Sequence, residues 1–200
     1  MAISYPLSIP TGIGIAQIEL RAVNAVALSR SPFTFASQAH AYQGQMWQAD
    51  VTIPPTNSIA DAEEWVAFLI SLRGQFGTFL LGDPLRKTLR GTATSCTVTG
   101  SSGAATVSAT VPDGETLLRG DYIQLGSTAT SSLHKVLVDY TGTGSAADLE
   151  IWPALRVNRS SATATLSNTV GLFRLASNEQ AWSINESNSY GISFGATEAI

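Results

Sequence analysis

Trp47-Gln48-Ala49-Asp50-Val51-Thr52-Ile53-Pro54-Pro55 carries the clearest strand pattern in the chain. Its odd positions are apolar and all but one of the intervening positions are polar, the period-two pattern of a strand with one face buried. The paired prolines lack a backbone N–H and end it. Upstream, Ile18-Glu19-Leu20-Arg21-Ala22 carries the same alternation more weakly. Downstream, Trp182 and Ile184 share one face, as do Tyr190, Ile192 and Phe194. The polar run Asn185–Ser189 between them is expected to be a hairpin loop.

Helical spacing is clear once, from Ile59 to Arg73. Ser58 is placed to cap the helix three residues before Asp61, and Asp61, Glu63 and Glu64 complement the positive end of its dipole. Arg73 falls at the negative end and Gly74 supplies the stop. Ile59, Ala62, Trp65, Val66, Leu69 and Leu72 form an apolar stripe, so the helix is expected to lie across a sheet with Trp65 in the core.

Composition changes in the middle. Gly91 to Pro112 contains no charged residue, and about half of its positions are Ser or Thr. Cys96/Val98 and Val107/Ala109/Val111 alternate on either side of Gly100–Gly103, a hairpin pattern. Asp121–Leu125, Leu133–Val138, Leu149–Val157 and Ala162–Leu166 are further short strands between turns. Residues 92–170 are therefore expected to form a small all-β module inserted into a domain built from residues 1–91 and 171–200.

The chain has 200 residues, enough for a sizeable core, and 44% of them are hydrophobic. Only 13% are charged, against roughly 25% in an ordinary soluble domain. From Met1 to Ala60 the only charges are Glu19, Arg21, Arg30 and Asp50. A surface so poor in charge is expected to meet other chains. Net charge is −4, and no segment is basic: residues 1–91 carry six basic and six acidic groups, 92–170 four and six, 171–200 one and three. Binding to nucleic acid by phosphate neutralisation is thereby disfavoured.

The residue pattern offers no constellation for catalysis. His40 and His134 stand far apart, with no acid or nucleophile in a known relation to either; both are expected to be structural or surface residues. Asp113/Glu115 and Asp148/Glu150 are pairs two apart that could share a face, but solvated carboxylates are the commoner case. Gly12-Ile13-Gly14 is a turn rather than a nucleotide loop. Cys96, the only cysteine, excludes an internal disulfide and is expected to be a buried small hydrophobe. No signal peptide or membrane span is visible, so the chain is expected to be made in the cytoplasm without membrane insertion. We expect no enzyme, no cofactor, and no catalytic, cofactor-binding or metal-ligating residue.

An ordered series of strings extends over nearly the whole chain: Tyr5–Pro10, Ser31–Phe35, Gln43–Trp47 leading to Ile53-Pro54-Pro55, Ala62–Leu69, Gly74–Pro84, Gly120–Leu125, Ile151-Trp152-Pro153, Phe173-Arg174-Leu175 and Tyr190–Phe194. Together they resemble the distal tail (minor tail) proteins of siphophages. The resemblance implies a mainly-β fold, a tail-tube-like β-sandwich or barrel with one flanking α-helix (59–73), plus the inserted β module projecting outward. It also implies a structural subunit of the virion's tail tip, forming a homo-oligomeric ring of six. Its partners would be the tail tube protein, the hub or baseplate and fibre proteins, with DNA passing through the lumen without specific binding. Ser31–Tyr42 and Gly74–Leu85 would then be inter-subunit loops. The alternatives are another tail component, a tube or terminator, or a receptor- or carbohydrate-binding module using Trp152 and Tyr122; a hydrolase lacks a constellation.

Overall fold

A computed structural model describes residues 3–186 and 189–200. The first strands are β1 (Leu7–Ser8), β2 (Gln17–Arg30) and β3 (Ser37–Thr52); after helix α1 (Ile59–Ser71) comes β4 (Phe79–Leu81). The middle contains β5 (Thr97–Gly100), β6 (Thr106–Thr110), β7 (Thr116–Leu117), β8 (Tyr122–Leu125) and β9 (Ser132–Val136). It continues with β10 (Tyr140–Thr141), β11 (Ala147–Trp152) and β12 (Arg159–Thr165). β13 (Gly171–Leu175), β14 (Trp182–Ile184) and β15 (Tyr190–Glu198) follow. The described residues are mainly β with one α-helix.

Strands from both ends of the chain form a seven-stranded sheet in the order β1-β4-β13-β15-β3-β2, with β14 joined to β15. The alternation in β3 sets its inner face: Trp47, Ala49 and Val51 are buried, as is Ile53 just past the strand. α1 lies across that face. Ser58 caps it by accepting from the Asp61 N–H. Trp65 packs on Phe194 with ring centroids 6.1 Å apart, and Phe68 meets Phe79 edge-on at 5.6 Å. The Trp65 Nε1–H donates to the Ile13 carbonyl at 3.2 Å.

The helix ends two residues before the expected Arg73. Arg73 (φ 53°) and Gly74 (φ 66°) both turn left-handed, and the Gly77 N–H donates to the Leu72 carbonyl at 2.8 Å. A side chain at Gly77 would stand 2.9 Å from the Leu72 Cα, so the stop depends on a close approach downstream as well as on Gly74. The apolar stripe is also shifted: Phe68 is buried, whereas Ile59 is 62% exposed at the first turn.

Six of the middle strands close into a barrel, β11-β6-β5-β12-β8-β9, and β7 pairs with β10 beside it. Closure leaves no free edge within that ring. β11 accomplishes it by pairing with β6 through Ala147–Glu150 and with β9 through Ile151–Trp152. It then stops at Pro153, earlier than the expected Val157, because proline cannot donate to a ladder. The expected Cys96–Val111 hairpin is the β5–β6 pair.

The barrel is docked on the sheet. The Trp47 Nε1–H donates to the Leu133 carbonyl at 2.9 Å, and Trp47 meets Trp152 edge-on at 4.5 Å. Tyr122 and Leu133, both barrel residues, belong to the sheet's core cluster. Val98, Ile123, Leu125 and Leu149 centre a second cluster inside the barrel.

Candidate assembly surface

β2 and β3 pair antiparallel from Gln17↔Thr52 to Arg30↔Ser37, with a register shift between Asn24 and Val26. Near its root the ribbon belongs to the sheet, since β15 pairs with Gln48–Thr52. Beyond that, from Asn24 to Gly44, every residue except Ser31 is exposed. Directly opposed residues of an antiparallel pair share a face. Val26, Leu28, Ala39 and Ala41 therefore line one side of the projecting arm, and Ala27 and His40 the other. Tyr42 packs edge-on against His40 at 4.7 Å.

The tip is organised by Ser31. Its N–H donates to the Ala36 carbonyl at 2.9 Å, its carbonyl accepts from the Phe35 N–H at 3.0 Å, and its Oγ accepts from the N–H groups of Phe33 and Thr34. The turn thus satisfies its own polar groups and leaves Phe33 92% exposed. Phe35 has φ 56°, a left-handed conformation that is unusual for a bulky residue. The Arg30 guanidinium lies 5.0 Å from its ring centroid.

A two-stranded ribbon alone in water is marginally stable. A long edge strand also presents a row of unpaired N–H and C=O groups, which proteins usually guard with charge, proline or bulges. This arm has one register irregularity and, between Asn24 and Gly44, the single charge of Arg30. Val26, Leu28, Phe33, Phe35 and Tyr42 are each more than half exposed. A run of about twenty such residues is what one partner typically contributes to a standard protein interface.

The expectation of a loop at Ser31–Tyr42 is therefore corrected: Ser31–Ala36 is a tight tip, and Ser37–Tyr42 is strand. The second expected loop, Gly74–Leu85, is also corrected, because its centre is β4, with Phe79 and Leu81 fully buried. Phe76 and Leu85 remain exposed on either side.

Of the titratable residues singled out from the sequence, Asp148 and Glu150 share the outer face of β11, while the two histidines stay apart. His40 lies on the arm. His134 is buried on β9, its Nδ1 2.7 Å from the Pro153 carbonyl and its Nε2 2.9 Å from Ser132 Oγ. The Glu150 carboxylate accepts from Thr106 Oγ1, and that of Glu115 from the Thr94 N–H at 2.6 Å. Asp121, which the sequence did not flag as special, is buried and accepts from the N–H groups of Arg90, Gly91 and Leu118. It pins the segment that leads into the barrel. Among the described residues no group of three or more His, Cys, Asp or Glu side chains could hold a metal ion.

Tyr122 and Trp152 do not form an exposed stacking platform. Tyr122 is buried. Trp152 packs on Trp47, and its Nε1–H donates to Asn24 Oδ1 on the arm's root at 2.7 Å.

No family model matches the chain, and no curated protein matches it. No helix among the described residues is long and apolar enough to cross a membrane.

Proposed function

We propose that this chain is a non-catalytic structural subunit of a bacteriophage tail tip. In this reading it forms a ring of about six copies that joins the tail tube to the hub and its fibres and lets DNA pass. The observation that carries the reading is the β2–β3 arm, an exposed and almost uncharged ribbon that a lone monomer has no physical reason to extend into water. The mainly-β sheet with one helix across it, and the additional β barrel in the middle of the chain, agree with the architecture that the resemblance to distal tail proteins implies. A balanced to acidic charge suits a lumen past which DNA slides without being gripped. The alternative of a carbohydrate-binding module is weaker, because both aromatic residues that would carry it are occupied in packing.

Electron microscopy of the purified protein tests this. Rings of about six subunits around a hole wide enough for duplex DNA are expected. Particles no larger than one subunit, alone and in the presence of isolated tail tubes, would count against it.

A further inference from the structure

The arm's tip and the arm's root are complementary, and one molecule cannot bring them together. At the root is a cleft of about 380 Å³ lined by Ile9, Ile15, Pro84 and Val170, with Asp83 and Lys87 as its charged members. Ile15 lies two residues before β2. β2 then runs 14 residues away from it, roughly 45 Å at about 3.3 Å per residue. The tip carrying Phe33 and Phe35 is therefore out of reach of its own cleft. The tip is a fixed turn that presents one ring almost fully to solvent and holds the other in a left-handed backbone conformation. Strain of that kind persists where the surrounding structure uses it. Arg30, the arm's only charge beyond Asn24, is opposite in sign to Asp83. Neither is in a salt bridge among the described residues, and Lys87 is exposed enough to turn aside.

We propose that Phe33 and Phe35 seat in the root cleft of a second copy of this chain, joining copies head to tail. This rests on the reading of the protein as a self-assembling subunit and specifies its joint. Tip and cleft are different patches, so the contact is heterologous. Repeated, it generates a ring when the rotation closes and a filament when it does not.

Two variants isolate the two halves of the joint. Phe33→Ala with Phe35→Ala removes the knob from an exposed turn. Gly14→Trp fills the cleft; a side chain begun at Gly14 meets nothing within 4 Å, and its backbone is not left-handed. Each should melt as the wild type does and run as a monomer. Mixed, they should give a 1:1 dimer and nothing larger, since one retains only a cleft and the other only a tip. Cysteines placed at Thr34→Cys and Thr11→Cys on separate copies should cross-link under mild oxidation, with Cys96 buried and out of the exchange.

Wild-type-like assembly of the Gly14→Trp protein, or no dimer and no cross-link from the mixed copies while the wild type assembles, would overturn the joint and leave the ring reading standing. A wild type that stays monomeric in every assay would overturn both.

Discussion

The guanidinium of Arg156, just past β11 of the barrel, meets the carboxylate of Glu198 at the end of β15 with Nη2 and Oε2 2.6 Å apart. The side chains are only 18% and 6% exposed. The same carboxylate accepts from the Trp47 backbone N–H at 3.0 Å. One ion pair therefore ties the barrel to two strands of the sheet at the place where Trp47 is covered.

Breaking such a buried pair from one side leaves an uncompensated charge. Arg156→Ala or Glu198→Ala should each cost about 3–5 kcal/mol. Replacing both together with apolar residues of similar size should cost much less, because no charge is left stranded. Urea unfolding of the three variants checks this; equal losses in all three would contradict it.

Trp65 is fully buried in α1 against Phe68 and Phe194, so Trp65→Ala should cost about 3–5 kcal/mol. Ile59, on the same helix but 62% exposed, should tolerate Ser within about 0.5 kcal/mol. Thermal melts of the pair would separate core from surface on this helix. A Trp65→Ala protein as stable as the wild type would remove α1 from the core.

His134 should make the fold acid-sensitive. Burial pushes its imidazole down from 6.5 to about 4, helped by Arg156 and Arg159 and opposed by the bond to the Pro153 carbonyl. Because the folded value lies below the unfolded one, the unfolded chain takes up the proton first as pH falls. The contribution is whole above about pH 6.5 and is lost on the way down to pH 4, in total about 3 kcal/mol. Denaturant midpoints should fall across that window, and His134→Asn should flatten the slope. A wild-type profile already flat there would contradict the assignment.

Cys96 is fully buried, and burial raises its thiol to about 11. The thiolate is the reactive species, so the native protein at neutral pH should resist iodoacetamide and label only once unfolded. Mass spectrometry of the intact chain reads this directly. Rapid native labelling would show that the barrel opens around β5.

Trp47–Ile53 and the Ser58–Leu72 stripe announced the sheet and the helix because their periodicity reflects burial on one side, and burial on one side is what they have. The barrel strands β6 and β11 were legible for the same reason, whereas β8 and β9 are buried on both faces. The arm was not legible. Its outer residues have no buried face, so no alternation marks them, and Ser31-Pro32 together with the Gln- and Ala-rich Ser37–Tyr42 resembles loop composition. Its one advance sign was the missing charge before Ala60, which pointed to contact with other chains without locating it. The docking of the barrel was equally hidden: Trp47–Leu133 and Arg156–Glu198 join residues 86 and 42 positions apart, and no local pattern encodes such pairs.

Both the proposed ring and its joint depend on assembly through the arm. The most direct measurement is the solution mass of the wild type beside a chain whose arm is cut back, with Ala25 joined to Tyr42 through an Asn-Gly turn. The wild type should sediment as a closed multiple of 21.0 kDa, while the shortened chain should keep its melting temperature and run as a single subunit. Two monomers, or two identical assemblies, would contradict this.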